Sequence, residues 1–90
     1  MPLDAAGRKL TLVSADGVIT ERLVCLRSVI VLTAGTSIRV YFGNSTGASS
    51  SVTLPTATAG QEYLGLDGII CKGLYADINS GTYAVVYDEL

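Results

Sequence analysis

Apolar and polar residues alternate with a period of two along most of the chain, which is typical of β-strands with one buried face. The clearest example is segment 37–42, in which Ile38, Val40 and Phe42 are predicted to face the core. No stretch shows the 3.6-residue period of an amphipathic helix. The pattern therefore predicts an all-β chain.

Turn residues divide this pattern into about seven or eight short strands, the spacing expected of a sandwich or barrel. We predict a small antiparallel, jelly-roll-like β-sandwich that occupies residues 1–90 as one domain, with residues 1–8 as an N-terminal arm. Asp16–Gly17 predicts a hairpin between strands 9–14 and 18–20, because Asp-Gly favours tight turns. The Gly81 turn similarly predicts a hairpin between the last two strands.

Segment 23–33 is apolar on both faces, so we expect it to be covered on both sides. With strict alternation, Val24, Leu26, Ile30 and Leu32 share one face, and Leu23, Cys25, Val29 and Val31 share the other.

The chain has more apolar side chains than one small core needs. Leucines such as Leu54, Leu64, Leu66 and Leu74 are predicted to point inward. The residues left pointing outward are Val29, Val31, Tyr41 and Tyr75. Because contiguous exposed apolar residues usually mark an interface, these four are the predicted interface residues. The alternative is a register slip of one residue, which would turn a whole face inward.

Composition argues against an enzyme. The chain contains no histidine, and its only cysteines are Cys25 and Cys71. Catalysis by Ser-His-Asp or Cys-His sets and protein-bound zinc are therefore not expected, and no cofactor is expected. Asp67 and Asp77 could border a small cation site, but we interpret them as turn and surface residues. The two thiols are expected to be buried and free.

Charge and hydropathy also restrict the partners. Charged residues make up 16% of the chain and the net charge is −2, without the basic field that nucleic acid requires. The longest apolar run, 23–32, is interrupted by Arg27 and Ser28 and is too short to cross a membrane. The N-terminus lacks a signal-peptide pattern, so no export is expected.

Segment 72–78, KGLYADI, is followed after Gly81 by segment 83–87, YAVVY. This ending resembles that of small virion structural proteins of tailed bacteriophages, in which a K-G-L-Y-(A/V)-D strand leads through a glycine turn to a V-x-V-x-Y type strand. Segment 26–35, LRSVIVLTAG, is similar to the family's V-K-S-V-x-V-x-G-G strand and turn, and segment 37–43, SIRVYFG, to its x-V-x-L-Y-D-G strand. Phe42 stands where an acidic residue is more usual.

The resemblance implies a β-sandwich on the virion. It would be a trimeric cement or decoration protein that binds between major capsid protein subunits on the capsid surface, after synthesis in the host cytoplasm. A collar, neck or tail-fibre component is the alternative within the same class. From the residues alone, the five tyrosines leave open a small carbohydrate-binding module, since tyrosine rings can stack on sugars.

Overall fold

Seven β-strands make up the computed structural model, which describes residues 8–48, 50–55, 58–78 and 80–90. The strands are β1 (Arg8–Val13), β2 (Gly17–Thr33), β3 (Ser37–Tyr41), β4 (Ser51–Pro55), β5 (Glu62–Tyr63), β6 (Ile69–Ile78) and β7 (Thr82–Glu89). The predicted all-β class and strand number are confirmed. Of the predicted arm, only Arg8 belongs to the described residues, and it begins β1.

All strands join in one antiparallel sheet of order β1-β7-β2-β6-β3-β4, with β5 paired to β2. The 17-residue strand β2 holds this sheet together. Its first part, from Gly17 to Leu26, pairs with β6, and its second part, from Val24 to Thr33, pairs with β7. The sheet therefore has two halves that share β2: one contains β1, β7 and β5, and the other contains β6, β3 and β4.

Both predicted hairpins are wrong. Within the described residues β1 pairs with β7 instead of β2, and β6 and β7 lie on opposite sides of β2. The two predicted strands 18–20 and 23–33 are one continuous strand. The predicted cover on both faces of segment 23–33 is also wrong: Leu23 and Leu32 are 49% and 47% exposed. Neighbouring strands pair with the edges of β2, and only one of its faces meets the core.

A β-bulge in β2 corrects the predicted orientation of Val29 and Val31. The pairing with β7 shifts between Leu26 and Ser28, so one extra residue interrupts the alternation. Val24 and Leu26 before the bulge face the core, and so do Val29 and Val31 after it. Both valines are fully buried and cannot form an interface. The register slip, caused by a bulge, is the correct interpretation at these two positions.

A second irregularity lies where β2 pairs with β6. Three residue steps along β2, from Thr20 to Leu23, match two steps along β6, so β2 holds the extra residue. On β6 this point lies at Gly73, which has a φ of +96°. Ile69 and Cys71 pack against the core before this point, and Leu74 and Ala76 do so after it. The predicted inward direction of Leu74 is therefore confirmed, and Ala76 faces the same way.

One hydrophobic cluster runs through both halves of the sheet. It extends from Val13 on β1 to Leu54 on β4, and both residues are buried. Leu66 is also buried as predicted, whereas Leu64 is mostly exposed. The reason is that β5 ends at Tyr63, so strand alternation does not extend to Leu64.

Candidate functional site

The outward side of the first half of the sheet is apolar. Register places Leu10 opposite Val86 and Leu12 opposite Ala84, and Ala84 in turn lies opposite Ile30. Directly opposite residues share one side of a sheet, and residues two apart on a strand do as well. We call the resulting surface the outer apolar face; it consists of Leu10, Leu12, Ile30, Leu32, Leu64 and Val86.

Four leucines of this face are largely open to solvent. The exposed fractions are 58% for Leu10, 65% for Leu12, 47% for Leu32 and 62% for Leu64. Single exposed leucines are common on soluble proteins, but clustered ones on one sheet face usually mark a contact surface. The outer apolar face is thus the main candidate for a functional surface on this protein.

A shallow, open depression of about 340 Å³ joins Leu64 to the strands of this face. Ile30, Leu64 and Val86 supply its apolar wall, and Arg8 and Arg27 lie at its polar side. An apolar centre with charged groups at the rim is the usual composition of a protein-binding surface.

Four charged side chains form an ionic cluster at the end of the outer apolar face. Arg8 donates to the Asp88 carboxylate, and Arg27 Nε donates to Asp88 Oδ2 at 2.8 Å. Arg27 Nη1 also donates to Asp67 Oδ1 at 2.8 Å. Hydrogen bonds from Arg8, and then from Arg27, lower the pKa of Asp88, while partial burial opposes them. The bonds to Asp67 and Asp88 raise the pKa of Arg27. The cluster fixes the β2 bulge to the C-terminal strand.

The lowered pKa of Asp88 predicts a pH dependence of stability. The folded state binds its proton more weakly than the unfolded chain does, so the stabilisation is present above the ordinary carboxyl pKa of about 4. It is lost as the pH falls through the lowered value. We expect urea unfolding midpoints to drop on acidification more steeply for the natural protein than for Asp88→Asn. The same pH dependence of the unfolding midpoint in both proteins would contradict this role of Asp88.

The structure does not bring the four predicted interface residues together. Val29 and Val31 lie in the core, as described above. Tyr41 and Tyr75 are half-buried neighbours in the second half of the sheet, with ring centroids 6.1 Å apart at an angle of 73°. The Arg39 guanidinium lies 5.3 Å from the Tyr41 ring centroid, in cation–π geometry. Each of these tyrosines therefore has a ring contact within the chain, and their role in an interface stays a prediction.

The tyrosines do not form a flat platform for sugar stacking. Tyr83 and Tyr87 are buried in the core. The Tyr63 hydroxyl donates to the carbonyl of Pro55. The rings of Tyr41 and Tyr75 meet edge to face, so they present no common plane to a sugar ring.

Both cysteines are free thiols, as predicted, although only Cys25 is buried and Cys71 is half-buried. Cys71 lies opposite Val24 and Cys25 opposite Ile70, so the two thiols are on different sides of the sheet. Burial raises the pKa of the Cys71 thiol, which donates to the Gly73 carbonyl at 3.3 Å. This thiol stays protonated at neutral pH and is a poor nucleophile.

Over the described ranges, no three residues of the kinds that ligate metals come together. Asp67, one of the two acidic residues considered for a cation site, instead accepts the hydrogen bond from Arg27. The same ranges hold no helix long and apolar enough to span a bilayer.

Comparisons with known proteins found no match: no protein-family model, no curated protein and no solved structure is significantly similar to the chain. The outer apolar face is accordingly the main guide to function.

Proposed function

We propose that this chain is a non-catalytic structural protein that acts by binding other protein surfaces. The observation that carries this proposal is the outer apolar face, with four leucines at 47% to 65% exposure on one side of the sheet. The carboxylates of Asp67 and Asp88 are held in ion pairs with arginines, which leaves them poorly suited to proton transfer.

The resemblance to tailed-phage virion proteins supplies the partner in this proposal. The chain would be a cement or decoration protein that self-associates and binds between major capsid protein subunits, so that the head gains contacts across its lattice. The resemblance is carried by segments in β2, β3, β6 and β7. An apolar, weakly charged binding face suits a protein lattice better than it suits nucleic acid.

Binding to phage heads tests this function. Purified protein is added to heads of the encoding phage that were assembled without it, and bound protein is measured after sedimentation. We expect saturable binding, and we expect Leu64→Lys to weaken it about tenfold or more, because an ammonium group must then be desolvated at the contact.

Ile70→Lys is the matched control. Ile70 has an exposed fraction of 64%, close to the 62% of Leu64. It lies on β6, opposite Cys25 in the other half of the sheet, and does not line the depression beside Leu64. Its replacement should leave binding unchanged. Equal loss with both variants would contradict the assignment of the face. Binding to isolated tails alone would favour the collar or tail-fibre alternative, and binding to neither particle would reject the virion role.

A further inference from the structure

Strand β1 is an open edge of the sheet. It is the first strand in the order β1-β7-β2-β6-β3-β4, so one of its sides has no partner strand within the described residues. An edge strand presents free backbone N–H and C=O groups that can pair with another chain. The opposite edge, β4, ends at Pro55, which cannot donate into a ladder.

The usual protection of an edge is weak on β1. Natural edge strands are guarded by charges, prolines or bulges. Here the charges are confined to Arg8 and Lys9 at the start of the strand, and the register with β7 from Arg8 to Val13 is unbroken. Leu10 and Leu12 stand on this regular edge with exposed fractions of 58% and 65%.

The sequence of β1 complements itself in antiparallel pairing. When Thr11 pairs with Thr11 of a second copy, Leu10 comes opposite Leu12 in both directions. Lys9 then lies opposite Val13, so no positive charge faces another. Opposite residues share one side of a sheet, which places all four leucines on the side of the outer apolar face.

We propose that two copies of this chain associate by antiparallel pairing of their β1 edges, centred on Thr11. The pairing makes one continuous sheet whose outer apolar face runs across both copies. This inference rests on the proposed function and specifies how the protein self-associates. Each copy first binds a second copy through β1. The combined outer apolar face of the dimer then stays free to bind the capsid lattice. It yields a dimer, in contrast to the trimer implied by the phage resemblance.

Two double variants of equal polarity test the pairing. In the double variant Leu10→Lys with Leu12→Lys, two positive charges face each other at each position-10 to position-12 contact. In Leu10→Glu with Leu12→Lys, a negative and a positive charge face each other there. Solution mass is measured by light scattering over a concentration series, with circular dichroism to verify the fold. We expect a dimer for the natural protein, a monomer for the Lys/Lys variant and a dimer for the Glu/Lys variant.

The other outcomes overturn the proposal. A monomeric or trimeric natural protein rejects the pairing directly. If both variants are monomers, apolar burial and not β1 register holds the copies together. If both remain dimers, another surface is responsible. None of these outcomes depends on head binding, so the dimer and the virion role can fail separately.

Disulfide crosslinking between two variants, each with one added cysteine, is a second test. Each variant keeps the natural leucine at the other of the two positions. Leu10→Cys and Leu12→Cys are prepared separately and oxidised alone or after mixing. Because position 10 of one copy lies opposite position 12 of the other, the mixture should form far more disulfide-linked dimer than either variant alone. Equal crosslinking in all three samples would contradict the proposed register.

Discussion

Replacing Val31 by Asp is expected to unfold the protein. Val31 is fully buried and lies opposite the buried Tyr83, within the one hydrophobic cluster. A carboxylate there has no cationic partner, and burying such a group costs several kcal/mol. A domain of this size has a total stability of roughly 5–15 kcal/mol. We expect the β-type circular dichroism and the cooperative unfolding transition to disappear.

Leu32→Asp is the matched control, because Leu32 is the next residue on the same strand but is 47% exposed. This variant should fold and unfold cooperatively near the natural midpoint. The pair of variants tests the β2 bulge directly. A folded Val31→Asp protein together with an unfolded Leu32→Asp protein would show that strict alternation, and not the bulge, describes β2.

Gly81→Ala is expected to produce the second large loss of stability. Gly81 has a φ of +94°, and a Cβ there would lie 2.7 Å from the Thr33 carbonyl oxygen and 2.8 Å from the Tyr83 hydroxyl. The left-handed backbone alone costs a residue with a Cβ about 1–2 kcal/mol. The contact with the Thr33 carbonyl adds to this cost, since a backbone atom cannot move aside easily. We expect a loss of about 3 kcal/mol or more in urea unfolding.

Two other glycines separate the cost of the left-handed backbone from the cost of the close contact. Gly68 has a φ of +98°, and an added Cβ would have no neighbour within 4 Å, so Gly68→Ala should show only the backbone cost. Gly17 has neither a positive φ nor a close neighbour, and Gly17→Ala should change stability little. A loss for Gly81→Ala no larger than that for Gly68→Ala would show that the turn relaxes around the added methyl group.

The sequence predicts regular strands well and bulged strands poorly. In β3 the alternation is unbroken, and Ile38 and Val40 are buried as expected. In β2 the same rule fails after Leu26, because the extra residue at the bulge is visible only in the pairing with β7. A run of apolar residues on both faces contains no signal that places such a bulge.

The sequence does not locate the outer apolar face, for a related reason. Leu10 and Leu12 share a face by simple alternation, but nothing in the sequence shows which side of β1 meets the core. That side is decided by β7, in which Tyr83, Val85 and Tyr87 are buried. For Leu64 the sequence predicts an inward direction by continuing a strand that in the structure ends at Tyr63. Long-range pairing, which local patterns do not contain, therefore determines the exposed surface.

The position of β7 between β1 and β2 affects the order in which the chain can fold. The register pairs Arg8 with Asp88, across nearly the whole chain, and Gly17 with Ala76, across about two thirds of it, so sheet formation requires closure of long loops. Such closure lowers the chain entropy before the distant contacts can stabilise the sheet, which slows folding. During synthesis, β1 has no strand to pair with in this sheet until β7 has left the ribosome. In that interval both edges of β1 are open to another copy, whereas in the folded sheet only one of them is.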